Sequence, residues 1–230
     1  MLPIPARPIE RVSGAAGSLR QDGGWHGERS LNMFGREDFR TAREAHYEHF
    51  FGPVHAVGHS MSVDLLPMHI DVYQFAPTPT RSFWTLITGG MSDFRQPALA
   101  EANNKISPLA EIIMYAHQPK DWMLAVLKGL AEMPLRNATF LHWGHTVPNG
   151  QPMTHEPSQL TSFFFLPPVL EAQGFERLTL ATDRVDFLML VPITEAERAY
   201  AIEHGAAALG QLMEDNGFDF IVDEKRMSLL

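Results

Sequence analysis

The chain has 230 residues, 45% hydrophobic and 20% charged, with a formal charge of −9 and no cysteine. That length holds one large domain or two small ones and can bury its own core. Lack of cysteine excludes disulfides, zinc–thiolate sites, iron–sulfur clusters and cysteine nucleophiles, and the negative field makes nucleic acid a poor partner, because phosphate binding draws on clustered Lys and Arg.

The N-terminus carries Pro3, Pro5 and Pro8 without an apolar run, so no signal peptide is expected. No stretch approaches the ~20 apolar residues of a membrane span, and a cytoplasmic location follows as the expectation. Residues 1–34, rich in Gly, Pro, Arg and Ser, read as a flexible or irregular arm ahead of one domain over 35–230.

From Glu37 to Phe50, the residues Phe39, Ala42, His46 and Phe50 recur at helical spacing, and Gly52-Pro53 stops that helix. In Met68 to Phe75 apolar and polar residues alternate as in a half-buried strand. Pro77-Thr-Pro-Thr80 makes a turn and Ser82 to Thr88 runs back, so the two strands form a hairpin. Glu111 to Tyr115 fits a buried strand or part of a helix equally well. Asp121 is expected to cap a helix with Trp122, Val126 and Leu130 on one face. Thr139 to His145, Thr161 to Leu166, Phe175 to Ala181 and Val185 to Val191 are further strand candidates.

Thr194 and Glu197 write a capping box for a final helix, with Ile202, Ala206, Leu209 and Met213 on its apolar face and Gly217 as its stop. Phe218 to Val222 closes as a strand. Strict βαβ alternation is absent. The fold class expected is α+β, with one mainly antiparallel or mixed sheet packed with about three helices.

No motif writes a catalytic site. His142 and His145 are three apart in a strand candidate and would point to opposite faces, while His46 and His49 share a helical face without a third ligand. Gly90-Met-Ser-Asp93 lacks the second glycine of a nucleophile elbow, and no phosphate-binding glycine loop occurs. No catalytic residue, metal or cofactor is therefore expected. Tyr73, Arg81, Trp84, Asp93, Trp122 and Trp143 are residue types that anchor interfaces, and equally types that fill a large core. Residues 195–230 hold eight acids against three bases, an acidic region suited to a basic partner and equally to a solvated helix face.

The run His69-Ile-Asp-Val-Tyr73, then Ala76-Pro-Thr-Pro-Thr-Arg81, then Trp84-Thr-Leu-Ile-Thr-Gly-Gly-Met-Ser-Asp93 resembles the core motif of the suppressor-of-fused domain. Ala110-Glu-Ile112, Trp122, Gly144-His-Thr146, Val191-Pro-Ile-Thr194 with Glu197, and Asp223 with Lys225-Arg226 are similar as well, so the resemblance spans about residues 37–228. It implies a non-enzymatic domain that binds another protein. Animal members repress Hedgehog signalling by holding a zinc-finger transcription factor through this domain and a second, C-terminal one, which a chain of this length is not expected to carry. Stand-alone bacterial members serve as immunity proteins against a cognate toxin, a role that suits the acidic charge. Partner contacts are expected at Arg81, Trp84, Ser92, Asp93, Trp143, His145, Glu214 and Asp215. The alternatives are a small-ligand binder using an aromatic cleft and a histidine-based metal-dependent hydrolase.

Overall fold

The computed structural model describes residues 33–61, 68–97, 106–154, 157–180 and 183–230. Its elements in chain order are α1 (Met33–Phe51), β1 (Ala56–Met61), β2 (His69–Phe75), β3 (Trp84–Gly89), a 3-10 turn (Met91–Asp93), β4 (Leu109–Ala116), α2 (Asp121–Arg136), β5 (Thr146–Pro148), β6 (Leu160–Leu166), β7 (Arg177–Thr179), β8 (Arg184–Thr194), α3 (Glu195–His204), α4 (Ala206–Asp215) and β9 (Ile221–Val222). The described strands form one nine-stranded sheet in the order β1-β2-β3-β4-β8-β6-β5, with β7 on β8 and β9 on β4. Among the described residues β4 alone pairs in parallel, with β8 and β9, so the sheet is mixed and mainly antiparallel. The class is α+β, as the sequence led us to expect.

Side-chain alternation along the strands feeds two cores. Ile70, Val72, Leu86, Ile112, Met114 and Leu188 meet Met123, Leu127, Leu130 and Ala131 of α2 on one face. Tyr73, Phe75, Ile87, Ile113, Phe187 and Met189 meet α1, α3 and α4 on the other. β4 is buried along its whole length, which explains why its apolar run carried no periodicity: a strand covered on both faces need not alternate.

The hairpin forms as expected. Thr78 and Arg81 exchange backbone hydrogen bonds at 2.8 and 3.1 Å around Pro79 and Thr80, and Phe75 then pairs with Thr85. In α1, Arg43, Tyr47 and Phe51 form the fully buried stripe, flanked by half-buried Phe39, Ala42, His46 and Phe50. Gly52, at φ +79°, ends that helix and donates its amide to Glu48 O at 2.9 Å. The helix starts at Met33, so the last two residues assigned to the arm are helical; residues 1–32 lie outside the described residues.

Several expectations need correction. Lys120, not Asp121, is the N-cap of α2, and the buried face is Met123, Leu127 and Leu130, leaving Trp122 and Val126 half-buried. Thr139 to His145 is not a strand; it runs through a turn before β5. Of the candidate Phe175 to Ala181, whose last residue lies outside the described residues, β7 covers Arg177–Thr179, and Phe218 to Val222 shrinks to β9. The final helix is two helices. Gly205, at φ +94°, breaks it, and the change of direction leaves Ile202 57% exposed while Leu209 and Met213 are buried. The capping box is present, with Glu197 N donating to Thr194 Oγ1 at 3.2 Å and Thr194 N to Glu197 Oε2 at 2.8 Å. Gly217, at φ +58°, stops α4 by a Schellman motif: Phe218 N donates to Met213 O and Gly217 N to Glu214 O.

Candidate functional site

The Gly-Gly-Met-Ser-Asp segment that ends β3 closes over a buried polar cluster. Glu111, in β4, has no exposed surface, and its partners among the described residues are all donors. Arg43 Nη1 (3.1 Å), Gly90 N (3.0 Å), Ser92 N (3.0 Å) and Ser92 Oγ (2.5 Å) donate to Oε1, and Thr88 Oγ1 (2.6 Å) donates to Oε2. Arg43 Nη1 also donates to Asp93 Oδ1 at 2.7 Å and to Ser92 Oγ at 3.0 Å. Burial pushes the Glu111 carboxyl above its ordinary value, while Arg43 and the hydroxyl and amide donors pull it back.

Both glycines of the segment are required, for different reasons. Gly90 has φ +113°, and a Cβ there would lie 2.1 Å from His69 O. Gly89 is ordinary strand, but a Cβ would strike the Tyr73 ring at 2.5 Å. The amides that the turn leaves free, those of Gly90 and Ser92, are accepted by Glu111. Ser92 is 2% exposed and its hydroxyl is held between a guanidinium and a carboxylate, a position from which it cannot attack a substrate.

Arg81 and Trp84 stand at the other end of β3, a strand of six residues and therefore roughly 20 Å long. Arg81 Nη2 donates to Glu171 Oε2 at 2.6 Å and Nη1 to Thr85 Oγ1 at 2.8 Å, and its guanidinium covers the Phe51 ring at 4.6 Å. Burial raises the Glu171 carboxyl, with Arg81 acting against it. Beside this pair opens a cleft of about 440 Å³ lined by Phe50, Phe51, Thr80, Arg81, Phe83 and Leu170. Trp84 is half-buried, edge-on to His55 at 4.9 Å.

Trp143 and His145 occupy a third place. Trp143 Nε1 donates to Phe187 O at 3.0 Å, and Arg177 covers the indole at 5.0 Å. His142 and His145 sit in one turn, with His145 N bonded to His142 O, so the strand argument that separated them does not apply; their rings stand 6.4 Å apart. Burial lowers the pKa of both imidazoles. Glu214 and Asp215 occupy a fourth place, exposed at the end of α4, where Gln211 donates to Asp215 Oδ1 at 2.9 Å. The eight expected residues therefore fall in four places and form no single site.

Three arrangements escaped the sequence reading. Arg43 is one, because a charged helical residue reads as solvent-facing. Another is the fork in which Arg226 grips Glu197 at 2.7 and 2.6 Å, with Leu229 N donating to the same carboxylate. The third is a group of three donors, His59, His69 and Asp71, whose ligand atoms all lie within 4.8 Å of one another. No described helix is long and apolar enough to cross a membrane.

The model of the suppressor of fused protein family matches residues 67–227, from the start of β2 to the C-terminal tail. The chain belongs to that family. Among curated proteins, the immunity protein YqcF of Bacillus subtilis is 28% identical over 162 residues, which cover 70% of this chain and 82% of that protein. The crystal structure of a suppressor of fused homologue from Neisseria gonorrhoeae superposes with a TM-score of 0.65 at 20% identity, over 84% of this chain and 98% of that one. A structure described as the Sufu-Fu complex gives 0.61 at 14% identity, over 84% and 91%. Drosophila Suppressor of Fused gives 0.60 at 14% identity, over 83% of this chain but 50% of the fly chain. Within this suppressor-of-fused domain, Glu111, Ser92, Asp93 and Arg226 of the recognised motifs all make hydrogen bonds or ion pairs within the chain.

Proposed function

We propose that this suppressor-of-fused domain works in the cytoplasm by binding another protein without catalysing a reaction, as an immunity-type inhibitor of a basic toxin. The observation that carries the reading is the relationship to an immunity protein across 82% of that protein's length. The surface supports it. Glu203, Glu214, Asp215, Asp219 and Asp223 are all exposed between α3 and the C-terminus, a field that speeds encounter with a cationic partner. Val169 and Leu170, 55% and 38% exposed beside the Arg81 cleft, offer apolar anchorage of the kind that slows dissociation.

Expression of the chain together with the polypeptide encoded beside its gene tests the reading. A stable complex and relief of that polypeptide's toxicity are expected. Neither complex nor relief, with both proteins folded, would overturn it.

A further inference from the structure

We infer that His59, His69 and Asp71 form a binding site for one divalent transition-metal ion of the zinc class. The site is made by strand pairing. His59 of β1 stands directly across from Asp71 of β2 in the antiparallel register, and His69 precedes Asp71 by two residues, on the same face of β2. All three side chains therefore project together from two hydrogen-bonded strands, with no loop needed to bring them in.

Their contacts are those of a hydrogen-bonded ion pair, and the same three ligand atoms lie within 4.8 Å of one another, close enough to share one ion. Asp71 Oδ1 lies 2.8 Å from His59 Nδ1 and 2.9 Å from His69 Nε2, so both imidazoles aim a nitrogen at one carboxylate oxygen. The rings are stacked at 6.2 Å with 26° between their planes, leaving a common direction of approach. Zinc takes imidazole nitrogen and carboxylate oxygen at about 2.0–2.2 Å, and three such donors can surround one ion after a small opening of the present contacts. Two imidazoles and one carboxylate select zinc, cobalt, nickel or copper over magnesium and calcium, which prefer oxygen. The carboxylate side chain is 7% exposed and the imidazoles are 66% and 55% exposed. The anionic ligand is thus anchored in the fold while the fourth coordination position faces outward, open to water or to a donor from a bound partner.

The site is distinct from the partner contacts proposed above, and its test does not need the partner. Full-length chain, stripped with chelator and dialysed, is titrated calorimetrically with zinc chloride, and separately with cobalt(II) chloride while visible absorption is recorded. One equivalent is expected, with cobalt ligand-field bands. Both are lost in His59→Gln and in His69→Gln, two exposed positions at which circular dichroism checks that the variants stay folded, and both are kept in the double variant His142→Ala, His145→Ala. A single equivalent that survives His59→Gln or His69→Gln, a loss that follows the double variant instead, or only several weak equivalents would overturn the assignment.

Discussion

Arg43 and Glu111 stand 68 residues apart in the chain, and their side chains meet at 3.1 Å beneath the turn that ends β3. Burial works against the Arg43 charge, but Glu111 and Asp93 outweigh it and hold the guanidinium above its ordinary pKa. The pair joins α1, the Gly-Gly-Met-Ser-Asp turn and the central strand, so that turn is a fastening between layers.

Removing one partner of such a pair leaves an uncompensated charge in the core. Arg43→Met should therefore cost about 3–5 kcal/mol in urea denaturation. Adding Glu111→Gln to that variant should recover part of the loss, because the amide needs no counter-charge. A cost of only about 1 kcal/mol, the value of a surface pair, would contradict the assignment.

His46 supplies a pH signature. Its ring is stacked on Phe175 at 5.3 Å and Phe187 at 5.1 Å, and burial lowers its pKa, with the hydrogen bond to the Phe175 carbonyl acting the other way. A depressed folded value means that the neutral ring stabilises the fold fully above the unfolded value of about 6.5. That contribution is lost as pH falls through the folded pKa. The stability of the wild type relative to His46→Phe should thus be greater at pH 7 than at pH 5. An unchanged difference across that interval would show that the imidazole does not titrate with unfolding.

The tail depends on Glu197 and Arg226. Burial alone would raise the Glu197 carboxyl, but Arg226 and the Thr194 amide outweigh it and hold the pKa below its ordinary value. The contribution is present above the unfolded carboxylate value and is lost on acidification through the folded one. Arg226→Met should speed hydrogen exchange at the Leu229 amide, which donates to the same carboxylate at 3.0 Å, more than at amides of β4. Uniform acceleration would mean that the tail opens only with the whole domain.

Local signals were the legible ones. The Pro79-Thr80 turn, the Thr194–Glu197 capping box and the Gly217 stop each act within a few residues, and each appears as read. Gly205 was passed over because helical periodicity continues on both sides of it, and only its backbone angle breaks the helix. β1 was missed because Gly58, His59 and Ser60 have weak strand signals; Gly58 lies close against α2, where a Cβ would meet the Leu124 methyl at 2.8 Å and that side chain would have to shift. The buried cluster and the histidine–aspartate group escaped for a deeper reason. Their members come from different elements, and only the register of β1, β2, β3 and β4 brings them together.

Whether the domain acts by charge-steered binding is tested most directly by association kinetics against the polypeptide encoded beside its gene. Glu214 and Asp215 are the positions to change, because they are exposed and lie at the C-terminus of α4, where their charge opposes the helix dipole. Glu214→Gln with Asp215→Asn should slow association and weaken its dependence on salt, leave dissociation nearly unchanged, and slightly raise stability. An association rate indifferent to salt and to both substitutions would contradict the account and leave the acidic region as solvated surface.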